Sequence, residues 1–104
     1  MARPRDYGAE DALALLSEHL TRWRKLLGLT QETIAQRARV SRSVIMKLEA
    51  GDGGVSIESL MRVLGALHVR DRIVDALDPL ETEFGRSMAD EILPQRVRQR
   101  KSAR

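Results

Sequence analysis

The 104-residue sequence predicts an all-α protein, a bundle of four to five short helices followed by a flexible basic C-terminal tail. Two observations support this prediction. Apolar residues recur three and four positions apart along most of the chain, as on one face of a helix, and no segment alternates polar and apolar residues as a strand does. Several of these segments are preceded by Ser or Thr or followed by Gly, the residues that favour the start and the end of a helix.

The first helix is predicted from Ala9 to Leu27. Residues 1–8 combine Pro and Gly without an apolar period, so we expect them to form a flexible arm. Gly28 is expected to end the helix, because glycine adopts the left-handed conformation of a helix C-terminus at little cost. The predicted apolar face comprises Leu13, Leu16, Leu20, Trp23 and Leu27.

Two short helices are predicted next, with barely a turn between them. Thr30 is suited to cap the second helix of the chain, because its hydroxyl can accept from the amide of Thr33, and Ser41 is suited to cap the third. Val40 is predicted to be buried in the turn, and Gly51 to end the third helix. The inner faces are predicted to consist of Ile34, Ala35 and Ala38 in the second helix and Val44, Ile45 and Leu48 in the third.

A fourth helix is predicted to begin after Ser56, and a short fifth helix lies in DRIVDALDPL, where Pro79 stops it. We therefore place one domain, which contains the two closely spaced helices, in residues 9–78. The remaining apolar faces are Ile57, Leu60, Met61, Leu64 and Leu67 in the fourth helix and Ile73, Val74 and Leu77 in the fifth.

The C-terminal residues divide by composition. Residues 79–94 are acidic and keep a roughly helical spacing of apolar residues, which Gly85 is expected to interrupt. We assign this extension to contact with a second copy of the chain or with a partner protein. Residues 95–104, QRVRQRKSAR, carry too little apolar content to order themselves, so we expect a disordered basic tail. Such a tail either solubilises the chain or binds phosphates non-specifically.

The net charge of +3 conceals an alternating pattern. Residues 1–19 and 71–94 carry net charges of −2 and −5, whereas residues 20–70 and 95–104 each carry +5. The basic centre coincides with the two short helices and indicates a negatively charged partner. The acidic segment cannot approach DNA favourably, which is a second reason to assign it to protein contacts.

Several function classes find no support in the sequence. His19 and His68 lie far apart without further ligands at metal-binding spacing, so no metal site is expected. No G-x-S-x-G motif or glycine-rich phosphate loop is present, so we expect no catalytic residues, no cofactor and no enzyme. The chain contains no cysteine and no apolar run near the about 20 residues of a membrane span, so we expect a cytoplasmic protein.

The closely spaced second and third helices have the layout of a helix-turn-helix, in which the second of the two helices enters the major groove of DNA. This arrangement requires small residues where the helices cross, an apolar residue in the turn and an outer face free for hydrogen bonding. Ala35, Ala38 and Val40 meet the first two requirements. The outer face predicted for the third helix consists of Arg42, Ser43, Met46 and Lys47.

Residues 20–69 resemble the lambda-repressor-like helix-turn-helix family, which includes the Cro and Xre regulators. The resemblance rests on the LGLTQ entry, on VSRSVIMKLEAG and on SIESLMRVLGAL, all at the family's spacing. It implies that Gln31 holds a phosphate and buttresses the recognition helix, and that Val44 is either core or touches a thymine methyl. The DNA-binding residues predicted in this way are Gln31, Ser41, Arg42, Ser43, Val44, Met46 and Lys47.

The resemblance further implies a structural ion pair between Arg24 and Glu49, which pins the first helix to the third. One position departs from the family, because Arg39 occupies the turn where glycine is usual. A non-glycine residue with positive φ costs on the order of 1–2 kcal/mol. The turn is therefore expected either to have a different geometry or to be strained.

The function that the resemblance implies is sequence-specific regulation of transcription, as a repressor that binds double-stranded DNA as a homodimer on a palindromic operator. This places the protein at the nucleoid of a bacterial cytoplasm. One alternative is a Hip-type antitoxin that binds a kinase-like toxin and represses the shared operon, which would give the acidic segment a partner. Another is an adaptor that no longer binds DNA. An RNA or single-strand binder is disfavoured, because only three residues are aromatic.

Overall fold

A computed structural model describes residues 3–92, and this range contains six α-helices and no strand. The predicted all-α fold class is confirmed. A single turn of 3₁₀ helix, Pro79–Glu81, precedes the last helix. The helices are α1 (Tyr7–Leu26), α2 (Gln31–Ala38), α3 (Arg42–Glu49), α4 (Ile57–Ala66), α5 (Arg70–Ala76) and α6 (Glu83–Ile92).

The chain divides into two compact units, with the boundary along the chain between His68 and Val69. The first unit contains α1 to α4, and the second contains α5, the 3₁₀ turn and α6. This division groups α5 with the residues that follow it, and the functional domain predicted for residues 9–78 stays a prediction. The predicted basic tail, 95–104, lies outside the described residues.

The core of the first unit forms where α2 packs against α3 and α4, while α1 packs against α3. Ala35 and Ala38 are buried in α2, where their small side chains let the neighbouring helices approach closely. The largest fully buried side chains are Ile34 and Ile45, each 1% exposed. The other buried apolar residues of this unit are Leu20, Leu48, Val63, Leu64 and Leu67.

Local hydrogen bonds fix the ends of these helices as the sequence predicted. The side chains of Thr30, Ser41 and Ser56 each accept from the amide three residues further on, at 3.0, 3.2 and 3.1 Å. Gly28 and Gly51 follow α1 and α3 with φ of +72° and +84°, in the left-handed region where a side chain is strained. The lengths of α2 and α3 are therefore set by their own caps.

The first helix begins two residues earlier than predicted, at Tyr7. Asp6 caps it by accepting from the amide of Ala9 at 3.0 Å, and Arg5 pairs with Glu10 in the first turn. Tyr7 and Gly8, which the sequence assigned to a flexible arm, are therefore helical. The flexible arm was predicted from the Pro and Gly content of these residues. The hydrogen bond that caps the helix at Asp6 stabilises its first turn despite this composition.

Five residues of the apolar faces predicted for the first five helices are exposed: Leu27, Ile57, Ile73, Val74 and Leu77. Leu27 follows the last turn of α1 and is 41% exposed, and Ile57 is the first residue of α4 and is 77% exposed. Val40, in the turn after α2, is half-buried and not fully buried. Helical spacing predicts burial only where a neighbouring helix covers the residue, and the exposed positions lack such cover.

The second unit is organised around Gly85. A Cβ atom at this position would overlap the backbone carbonyl of Pro79, so the glycine lets α6 lie directly on the 3₁₀ turn. The amide of Gly85 also donates to the Thr82 hydroxyl at 2.9 Å. The expectation that Gly85 interrupts the helix was therefore wrong, because the residue is needed for close approach and α6 runs through it.

Candidate nucleic-acid interface

The turn between α2 and α3 contains a strained residue. Arg39 adopts the left-handed conformation, with φ 58° and ψ 45°, and its amide donates to the carbonyl of Gln36 at 3.2 Å. The amide of Val40 donates to the carbonyl of Ala35 at 3.0 Å. Of the two possibilities left by the sequence, the strained turn is the one present. An arginine in place of glycine costs about 1–2 kcal/mol here.

The third helix has one buried side and one solvent-facing side. Ile45 and Leu48 are buried against the neighbouring helices, and Val44 is half-buried at the boundary. Ser41 lies at the N-terminus of the helix, where its oxygen accepts from Val44 and its O–H remains able to donate to a ligand. The solvent-facing side carries the residues predicted to contact DNA: Arg42, Ser43, Met46 and Lys47.

A surface groove joins the N-terminus of α2 to the first residue of α3. Its lining includes Thr30, Gln31 and Arg42. Gln31 and Arg42 are therefore on the same groove although they lie eleven positions apart in the chain. The first amides of a helix lack intrahelical partners and carry partial positive charge. An arginine beside such amides suits a phosphate, although Glu32 also lines the groove and opposes an anion.

Three side chains hold this groove and α3 against α1. Arg24 donates to both carboxylate oxygens of Glu49, at 2.6 Å from Nε and 3.0 Å from Nη2, and to the Leu29 carbonyl at 2.9 Å from Nη1. Gln31 donates from Nε2 to the same carboxylate at 3.1 Å. The ion pair that the resemblance implied is therefore present, with each side chain only 12% exposed.

The electrostatics of this cluster favour the charged form of both partners. Burial of the Glu49 carboxylate raises its pKa, but hydrogen bonds from Arg24 and Gln31 outweigh this effect, and the pKa lies below its ordinary value of 4.5. The hydrogen bond to Glu49 raises the pKa of the Arg24 guanidinium. Both groups are therefore ionised at neutral pH, and the two donors on α1 and α2 fix the C-terminal end of α3.

Two features of the groove were missed by reasoning from the sequence. Thr30 was identified as a cap, but its place beside Arg42 in the groove was not predicted. The hydrogen bond from Gln31 to Glu49 spans 18 positions, so no local pattern signals it. It supplies the contact by which Gln31 supports α3.

Other kinds of site are not found in the part of the chain that the structure describes. Between residues 3 and 92, no three His, Cys, Asp or Glu side chains are grouped so that they could hold a metal ion. None of the helices described in that range combines the length and the apolar character needed to cross a membrane.

Comparison with known proteins gives two matches. A family model described as Helix-turn-helix matches residues 20–73, just over half of the chain, and includes all of α2, α3 and α4. The chain is 42% identical over 60 residues to an uncharacterized HTH-type transcriptional regulator of Methanothermobacter thermautotrophicus. This similarity covers 55% of the chain and 81% of the relative. No solved structure matches.

Proposed function

The chain belongs to the Xre-type helix-turn-helix family of DNA-binding transcription regulators, and on this basis we propose that it is a repressor which acts as a homodimer on a palindromic operator. The observation that carries the proposal is the two-sided character of α3. Its buried side is fixed by Ile45 and Leu48, while its polar and basic side faces solvent. A helix held in this way can enter the major groove without rearrangement.

Each exposed residue of α3 has a role that follows from its chemistry. Arg42 and Ser43 lie in the first turn, which reaches base edges in this kind of motif, and arginine can donate two hydrogen bonds to guanine. Met46 and Lys47 lie one turn further on and contact the next bases or phosphates. Val44 is half-buried at the boundary of this side, and we expect it to touch a thymine methyl.

The backbone contacts are assigned to the groove at the start of α2. The Gln31 amide has two N–H bonds, and only one is needed for the hydrogen bond to Glu49. The second N–H, together with Ser41 and the first amides of α2, can donate to a phosphate. Gln31 would then couple a phosphate contact to the position of α3.

The homodimer follows from the small number of base contacts that one copy can make. A single short helix cannot select one site from a genome, whereas two copies related by a two-fold axis read two half-sites about 34 Å apart. Occupation of such an operator would repress by blocking the promoter, which we expect to be the protein's own.

A second candidate function, the antitoxin, is favoured by one observation in the second unit. Phe84 and Ile92 are 76% and 62% exposed on a helix within the acidic segment, and exposed apolar side chains of this size indicate a protein contact. In this case the protein would bind a kinase-like toxin through the second unit and DNA through the first.

The test is selection of bound sequences from a pool of random DNA duplexes. The wild-type chain is expected to enrich a palindromic consensus, and Arg42→Ala/Lys47→Ala is expected to lose it. Arg22→Ala/Arg62→Ala is the matched control, because it removes the same charge from exposed ion pairs on α1 and α4. The proposal is wrong if the folded wild-type chain enriches nothing at moderate salt, or if the consensus survives in the α3 variant.

A further inference from the structure

Arg39, in the turn between α2 and α3, combines a strained backbone with an exposed side chain. Its φ of 58° lies in the left-handed region, which glycine and asparagine adopt far more readily than arginine does. Within residues 3–92 the other non-glycine residue with positive φ is His68, and histidine is a residue type enriched in that conformation. Strain of this kind gathers at ligand-contacting positions, so Arg39 is a candidate for a further contact.

The Arg39 side chain takes no part in holding the turn. The hydrogen bond to the Gln36 carbonyl comes from the backbone amide of Arg39, which a glycine would supply equally well. The side chain is exposed, and its guanidinium makes no hydrogen bond or ion pair with any residue of the described part of the chain. Contacts inside the chain therefore do not account for an arginine at this position, and a partner outside the chain does.

The charge around Arg39 indicates that this partner is an anion. Residues 33–48 contain no Asp or Glu. They contain four basic residues, all exposed: Arg37, Arg39, Arg42 and Lys47. A guanidinium group without a neighbouring carboxylate is free to donate to a phosphate, whose oxygens match its planar set of N–H bonds.

The position of Arg39 in the chain favours a phosphate of the DNA over a base. Arg39 precedes Arg42 by three positions, so their Cα atoms lie within about 11 Å of each other, since consecutive Cα atoms are about 3.8 Å apart. In the proposed complex the first turn of α3 lies among base edges in a major groove about 12 Å wide. The turn that precedes α3 then lies at the edge of the groove, where the phosphates are.

We propose that Arg39 contacts a DNA phosphate at the edge of the major groove, and that this contact is what the strained arginine provides over a glycine. The inference rests on the proposed function, because it requires α3 to enter the groove. It gives the two arginines different roles. Arg42 reads a base, whereas Arg39 adds affinity on any sequence.

The first test is the salt dependence of binding to a duplex that the wild-type chain selects. Loss of one phosphate contact is expected to lower the slope of log K against log salt by about 0.9. Arg39→Gln is therefore expected to bind more weakly, by a factor that narrows about threefold between about 50 and about 200 mM salt. Arg39→Lys keeps the charge and is expected to keep the wild-type slope. Arg22→Gln is the control, because it removes one positive charge from an exposed ion pair on α1.

The second test separates the contact from the strain. Arg39→Gly relieves the left-handed conformation, so this variant is expected to be at least as stable as the wild type in urea unfolding. It is nevertheless expected to lose the same affinity and the same slope as Arg39→Gln, which keeps the strain. A loss shared by the relaxed and the strained variant cannot come from the fold of the turn.

The third test compares the selected duplex with a scrambled duplex of the same length. Arg39→Gly is expected to lose affinity by the same factor on both, as the loss of a phosphate contact does. The inference is overturned if Arg39→Gly and Arg39→Gln keep the wild-type affinity and slope. It is also overturned if the loss is confined to the selected duplex, which would make Arg39 a base contact.

Failure of the inference can be told apart from failure of the proposed function. If the wild-type chain enriches a consensus that depends on Arg42, the proposed function stands whatever the Arg39 variants do. If the folded wild-type chain enriches no sequence, the proposed function and the inference are both wrong.

Discussion

The two units of the chain differ in how far they cover their own apolar side chains. In the first unit, α2 and α3 are eight residues each, yet their inner faces are buried by the helices around them. In the second unit, α5 has no buried residue, and Leu77 and Phe84 are more than three-quarters exposed. The first unit buries the inner face of α3 within itself, whereas the second carries an apolar surface that a partner is expected to cover.

The largest effect is expected in the first unit, from removal of Arg24. Arg24→Ala leaves the Glu49 carboxylate largely buried without its main donor, which is expected to cost about 3–5 kcal/mol of stability. Arg22→Ala is the control, since its pair with Glu18 is exposed and worth at most about 1 kcal/mol. Thermal unfolding of the two variants measures the difference. A melting temperature for Arg24→Ala within a degree or two of the wild type would show that the pair does not hold the unit together.

The second unit is expected to respond most to Gly85→Ala. The added Cβ atom would overlap the Pro79 carbonyl, and overpacking of this kind costs about 1–3 kcal/mol. Hydrogen exchange is expected to show lost protection in residues 79–92 and unchanged protection in α2 and α3. Ser87→Ala, at an exposed position of α6, serves as the control and should leave both regions as they are. Loss of protection throughout the chain would mean that the two units fold as one.

A smaller effect of opposite sign is expected in the turn of the first unit. Arg39→Gly removes the cost of the left-handed conformation but adds conformational entropy to the unfolded chain, so a net gain of about 0.5–1 kcal/mol is expected. Arg37→Gly, in the last turn of α2, should instead lose about 1 kcal/mol. Urea unfolding compares them, and destabilisation by both substitutions would show that the Arg39 side chain contributes more than its strain costs.

The smallest effect is expected in how the free energy of unfolding changes with pH. Since the folded pKa of Glu49 lies below its ordinary value of 4.5, the folded chain takes up this proton at a lower pH than the unfolded chain does. The contribution of the ion pair is therefore complete above about pH 4.5 and is lost as the pH falls through the folded pKa. The difference in unfolding free energy between wild type and Glu49→Gln is expected to shrink over that range. A constant difference would contradict the shift.

The same comparison explains how much of the fold the sequence predicted. The helix-turn-helix was predictable, because its signals are local: Thr30 and Ser41 cap their helices, and Ala35 and Ala38 mark the crossing. Gly85 was misread, because the reason for its presence is the backbone of Pro79, which approaches only once the chain has folded. Residues at helix ends, such as Ile57, were misjudged for the related reason that spacing does not show which neighbours cover them.

The candidate site was likewise predictable only in part. The exposed side of α3 follows from helical spacing, and the structure places Arg42, Ser43, Met46 and Lys47 on it. The groove that joins Thr30 and Gln31 to Arg42 depends on how α2 and α3 meet, which no periodicity specifies. The base contacts themselves remain predictions, since they depend on the DNA as well as on the chain.

We propose that α3 reads base pairs through Arg42. The most direct measurement is the affinity of wild type and Arg42→Ala for the selected duplex and for a scrambled duplex of the same length, at one salt concentration. If Arg42 contacts a base, the variant loses about 1–3 kcal/mol of binding free energy on the selected duplex and little on the scrambled one. An equal loss on both duplexes would contradict the claim and reduce Arg42 to a phosphate contact.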